Sequence, residues 1–99
     1  MGDNGLSNNT TGTYNTAIGS LVMGSNIGGS YNIAIGSFAL GNNTTGNFNT
    51  TNGYASLQNN TTGSNNVAYG FSALANTAIT SSNTAIGSNA GYSASLVLT

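Results

Sequence analysis

The sequence predicts an all-β fold, a parallel β-solenoid of about six coils, and three observations predict it. First, the stretch that runs from Asn32 to Phe48 returns every 17 residues without insertion or deletion, at unit starts Thr16, Ile33, Thr50, Val67 and Thr84. Second, two columns of the repeat admit one residue type: Gly at Gly2, Gly19, Gly36, Gly53, Gly70 and Gly87, and Asn at Asn15, Asn32, Asn49, Asn66 and Asn83. Third, a large apolar column reads Leu6, Met23, Leu40, Leu57 and Leu74 before Gly91 breaks it. Like residues at a fixed period mean like environments, and stacking of identical units supplies them.

The frame divides the chain into a partial unit at residues 1–15 and units at 16–32, 33–49, 50–66, 67–83 and 84–99, which together form a single repeat domain. Met1 and Thr99 fall inside the frame, as expected of a piece cut from a longer array. Within a unit, Asn32-Ile33-Ala34-Ile35 is short, β-branched and closed by Gly36, and reads as a strand of about four residues entering a corner. Ser37-Phe38-Ala39-Leu40 is a second apolar segment, expected to form a second strand. Asn42-Asn43-Thr44-Thr45-Gly46 and its copies at residues 8–12 and 59–63 read as turns, with Gly and Asn accepting positive φ. The Gly, Asn, Ser and Thr content disfavours helix throughout.

A lone coil of this kind leaves backbone groups unpaired above and below, whereas stacked coils pair through parallel ladders about 4.8 Å apart. Ala17, Ala34, Ala68 and Ala85 are expected to face inward beside the Leu column, small against large. Ile18, Ile35 and Ile86, one residue further along, then face outward and require a partner; exchanging the two faces is the alternative. The Asn column reads as a ladder of amides bonded along the stack, and the Gly column as a corner where no Cβ fits.

The unit Asn-Thr-Ala-Ile-Gly-Ser-x-Ala-Leu-x-Asn-Asn-Thr-Thr-Gly resembles the head repeats of trimeric autotransporter adhesins and related repeats of bacteriophage tail fibres and other surface fibres. Asn15 to Ser20, Asn32 to Ser37, Asn66 to Gly70 and Asn83 to Ser88 carry the resemblance. It implies a left-handed parallel β-roll, three chains packed side by side, and projection from a surface to bind matrix or host molecules. The 17-residue unit is longer than that of the commonest adhesin heads, and the chain shows no coiled-coil stalk.

Composition excludes several functions. The chain has 99 residues, 37% hydrophobic and 1% charged, with no Lys, Arg, His, Cys, Pro or Trp. Phosphates and anionic lipid surfaces therefore find no cation, so neither nucleic acid nor membrane is an expected partner. Apolar runs such as Leu96-Val97-Leu98 are far too short to insert in a bilayer. Met1-Gly2-Asp3-Asn4 lacks the features of a signal peptide, and Leu6 stands where a myristoylation signal needs Ser or Thr. Low charge also argues against ordinary disorder.

No catalytic residue is expected, because the titratable inventory is Asp3, five Tyr and the termini, with nothing to activate a Ser or Thr hydroxyl. No cofactor is expected either: Gly41 to Gly46 has phosphate-loop glycine spacing, but Asn47 replaces the required Lys. Asp3-Asn4-Gly5 offers one carboxylate, too few for a calcium site, so no metal is expected.

Three surface features remain. The turns create sequons at Asn8, Asn9, Asn42, Asn43, Asn59 and Asn60, with another at Asn49, all candidate glycosylation sites, although turn chemistry alone accounts for these residues. Thr10-Thr11, Thr44-Thr45 and Thr61-Thr62 form an array like that of ice-binding solenoids, interrupted at Ile27-Gly28 and Ala78-Ile79. Tyr14, Tyr31 and Phe48 make an aromatic column that ends at Asn65 and Ser82, suited to a neighbouring subunit or a sugar.

Solenoid ends ordinarily need caps, charges or Pro, and this chain becomes more apolar from Tyr92 to Thr99. The expected function is therefore an extracellular, self-assembling structural fibre that packs laterally through the Ile column or the aromatic column. The alternatives are an adhesin or tail-fibre segment binding glycan or protein, and an ice-binding solenoid.

Overall fold

The computed structural model describes residues 4–76 and 81–92. Five strands, β1 (Thr16–Ile18), β2 (Ile33–Ile35), β3 (Thr50–Asn52), β4 (Val67–Tyr69) and β5 (Thr84–Ile86), form one sheet in sequence order. Every pairing is parallel and offset by one repeat: Thr16 faces Ile33, Ala34 faces Thr51, Asn52 faces Tyr69 and Ala68 faces Ala85. The chain is thus an all-β solenoid of stacked coils, with no helix among the described residues. Its extents are 31 × 20 × 16 Å.

Each coil holds one strand rather than two, and that strand has three residues. The second apolar segment is a succession of turns, closed within the coil by Ala39 N–H donating to Gly36 O, Gly41 N–H to Phe38 O, and Asn43 N–H to Leu40 O (3.0, 2.9 and 3.1 Å). The reason lies in the backbone. Leu21, Phe38, Ala55, Ser72 and Asn89 hold φ of 56–63°, and two residues on, Met23, Leu40, Leu57 and Leu74 hold 50–54°. Left-handed residues placed alternately turn neighbouring side chains to the same side, so Val22 and Met23, Ala39 and Leu40, and Ala73 and Leu74 are all buried. A strand would have put one of each pair in solvent.

Such residues cost about 1–2 kcal/mol each and persist only where their surroundings hold them. Here the next coil does so. Met23 N–H donates to Ala39 O, Leu40 N–H to Ser56 O and Leu57 N–H to Ala73 O, at 2.9–3.0 Å. At the turn, the amides of Ile27, Gly28 and Gly29 converge on the single carbonyl of Thr44.

The core is one row of side chains along the stack: Met23, Leu40, Leu57 and Leu74 beside Ala34, Ala68 and Ala85, flanked by Val22, Ala39 and Ala73. The small-against-large expectation holds, with Ala inward and Ile18 and Ile86 outward. Gly stacks on Gly at the corner that follows each strand. A Cβ on Gly36 would lie 2.7 Å from Gly53 C and O, and these glycines have φ of 118–144°, which L side chains rarely adopt. The N-terminal Gly2 and Asp3, the interruption of the Thr array at Ala78-Ile79, and the apolar stretch after Tyr92 lie outside the described residues.

Candidate functional site

Two features of the rod bear on function: what is locked inside it, and what its outer face presents. Inside, the Asn column forms the ladder expected of it. Asn32 Nδ2 donates to Asn15 Oδ1, Asn66 to Asn49 and Asn83 to Asn66, at 3.2, 3.0 and 3.0 Å. Backbone N–H groups use the same acceptors: Asn32 donates to Asn15 Oδ1, Asn49 to Asn32, Asn66 to Asn49 and Asn83 to Asn66, at 2.9–3.1 Å.

A second ladder is present that the sequence reading missed. Asn26 Nδ2 donates to Asn9 Oδ1, Asn43 to Asn26 and Asn60 to Asn43, at 2.8–2.9 Å. The two ladders meet on the carbonyls of Gly29, Gly46 and Gly63. Gly46 O accepts from Asn43 Nδ2 at 3.1 Å and from Asn32 Nδ2 at 2.9 Å. Gly29 O accepts in the same way from Asn26 and Asn15, and Gly63 O from Asn60 and Asn49. These glycines are a second stacked column, where a Cβ on Gly46 would come within 2.3 Å of Gly63 O. The signal for this ladder was in the sequence, since Asn9, Asn26, Asn43 and Asn60 are spaced at 17. It was masked by the ordinary role of Asn in turns.

This second ladder decides which sequons the rod presents. Asn43, Asn49 and Asn60 are fully buried with Nδ2 engaged in the ladders, and Asn9 Nδ2 is held by Gly12 O at 3.0 Å. An oligosaccharide transferase cannot reach a buried amide in the folded coil, so only Asn8, Asn42 and Asn59 of the candidate acceptors stand in solvent. Those three are partly engaged as well. Asn8 Nδ2 donates to Gly24 O, and Asn42 Nδ2 to Asn59 Oδ1, whose own Nδ2 donates to Asn76 Oδ1.

In the Thr array, the Thr10 and Thr44 hydroxyls donate to Ile27 O and Thr61 O, each at 3.2 Å. Thr44 and Thr61 are half-buried while Thr45 and Thr62 are exposed, so the two hydroxyls of these pairs are unequally presented to solvent.

The outer strand face mixes apolar side chains with Thr and Asn. In each strand the middle residue is the least exposed and the two around it point outward, so Ile33 and Val67 stand beside the column of Ile18, Ile35, Asn52, Tyr69 and Ile86. Ile35 is half-buried, Ile18 is 44% exposed and Ile86 72%. The expectation of an outward Ile column named only one of these two columns; the other adds Ile33 and Val67, which alternate with Thr16, Thr50 and Thr84. Tyr14, Tyr31 and Phe48 stack face to face at centroid distances of 5.0 and 4.9 Å and are exposed. A further aromatic run, not foreseen, joins Phe38 edge-on to Tyr54 and stacks Tyr54 on Phe71 at 5.4 Å. Comparison with protein-family models, with curated proteins and with solved structures finds no match.

Proposed function

We propose that the chain is a segment of an extracellular structural fibre, extended by coil-on-coil stacking and thickened by lateral packing through the outer strand face. The observation that supports this reading best is the outer face itself: a parallel sheet whose exposed side carries Ile18, Ile33, Ile35, Val67, Tyr69 and Ile86 in two aligned columns. Thr50 and Asn52 of β3 divide this face into two apolar patches, and exposed apolar patches of this kind mark interaction sites. Stacking contributes the other direction of growth. Each coil offers the next the same donors and acceptors it received, so the contact is heterologous and has no internal stop. The resemblance to surface-fibre repeats points the same way and carries the extracellular location.

Electron microscopy of the purified chain tests the reading. Filaments or ribbons are expected, with bundling lost in the triple variant Ile18→Asn, Ile33→Asn, Ile86→Asn. Asn52 already occupies the column of Ile18 and Ile86, and Thr16, Thr50 and Thr84 occupy that of Ile33, so polar replacements spare the coil. Monomers that persist at every concentration overturn the proposal. Discrete trimers without filament growth favour the adhesin or tail-fibre alternative. Thermal hysteresis that vanishes when Thr44 and Thr45 are replaced by bulky residues favours ice binding.

A further inference from the structure

Two columns on the flank of the rod vary from coil to coil, and a groove opens between them. The column that follows the Leu column reads Ser7, Gly24, Gly41 and Gln58, and the column three residues before it reads Asn4, Leu21, Phe38 and Ala55. Two consecutive coils therefore pair a bulky apolar side chain with Gly, where the next pairs Ala55 with Gln58. The groove holds about 350 Å³ and is lined by Leu21 and Phe38 with the polar side chains of Asn8, Ser25, Asn42 and Gln58.

The backbone does not require Gly at position 24, whereas a Cβ on Gly41 would lie 3.1 Å from Phe38 O. Gly24 lies outside the left-handed region, and a Cβ there would meet nothing nearer than 3.7 Å. Leu21 and Phe38 hold φ of 58° and 63°, a conformation that suits the Asn4 and Asn89 of their column better than bulky residues.

We propose that this groove binds a neutral oligosaccharide. Its volume falls within the range of small-ligand sites. All of its polar groups are uncharged amides and hydroxyls, which both donate and accept as sugar hydroxyls do, and an ionic ligand finds no counter-charge in it. The side chains of Leu21 and Phe38 offer apolar surface to the C–H face of a pyranose. Asn8 and Asn42 each commit an Nδ2 hydrogen to the coil, to Gly24 O at 2.9 Å and Asn59 Oδ1 at 3.0 Å, which leaves their Oδ1 atoms as acceptors. An extended peptide is disfavoured, because it binds through a free backbone edge. Here Ser25 N–H is bonded to Gly41 O, Asn42 N–H to Gln58 O and Gly41 N–H to Phe38 O.

The test is isothermal titration of the assembled chain with cellotetraose, chitotetraose and maltotetraose, with a polygalacturonate tetramer as the charged control. One of the neutral sugars is expected to bind with Kd on the order of 1 mM. Gly24→Leu, which fills the groove, and Phe38→Ser, a residue its column already accepts at Ser72, are each expected to weaken binding by about tenfold or more. Circular dichroism and filament formation stay unchanged in both variants, since the strand face is untouched, so this result and the fibre reading fail separately. The proposal is overturned if none of the three neutral sugars binds, if binding survives both substitutions, or if the charged tetramer binds as well as the neutral ones.

Discussion

Asn43 uses both halves of its amide. Its Nδ2 donates to Asn26 Oδ1 and Gly46 O, and its Oδ1 accepts from Asn60 Nδ2, all inside a coil where water cannot replace them. Removing one buried partner leaves the others unsatisfied at about 1–3 kcal/mol each. Asn43→Ala is therefore expected to lower the unfolding free energy by about 3 kcal/mol or more in urea titrations, while Asn42→Ala, in solvent one residue away, changes it by less than about 0.5 kcal/mol. Equal effects would contradict the second ladder. Thr51 is the opposite case. It replaces Ala in the inward column, and its Oγ1 is buried with no hydrogen-bond partner among the described residues. Thr51→Val keeps the shape and removes the orphaned hydroxyl, so a gain of about 1 kcal/mol is expected, read as a rise in Tm of about 4–8 °C.

Among elements, the Gly columns separate by what they do. Gly46 lies outside the left-handed region, yet its Cβ would meet the backbone of the next coil; Gly24 meets nothing close. Gly46→Ala is expected to cost about 3 kcal/mol or more and Gly24→Ala to be nearly neutral, measured side by side by thermal denaturation. The corner glycines and the Asn ladder were legible in the sequence because one residue type alone satisfies each environment. That Ala and Ile face opposite sides was legible too, from the period of two, while the choice of Ala as the inward one rested on small-against-large packing and left the exchange of faces open. The second apolar segment was not. Ser37-Phe38-Ala39-Leu40 carries β-type residues, and nothing in their identity announces that Phe38 and Leu40 adopt left-handed φ. That conformation is imposed by the neighbouring coils, a tertiary cause that local propensity does not record. The groove was not legible because its lining residues come from different coils and meet only in space.

For the whole molecule, near-absence of charge shapes how association responds to solution conditions. With no Lys, Arg or His and one acidic residue, screening has almost nothing to act on. Light scattering during assembly is expected to be insensitive to sodium chloride up to about 1 M and to increase with sodium sulfate, which strengthens apolar burial. Assembly that dissolves in modest sodium chloride would point to an ionic contact this chain does not supply. The same in-register stack underlies both the proposed fibre and the proposed groove, since each depends on residues brought together from coils 17 positions apart.

That stack is measured most directly by dipolar electron spin resonance. Cys is absent, so Thr16→Cys and Thr84→Cys give two clean sites for spin labels, diluted with unlabelled chain to suppress contacts between molecules. The sites are four ladder steps apart through β1 to β5, and a narrow distribution near about 19 Å is expected. A broad distribution near about 45 Å, as for an unordered segment of that length, would contradict the stacked coils.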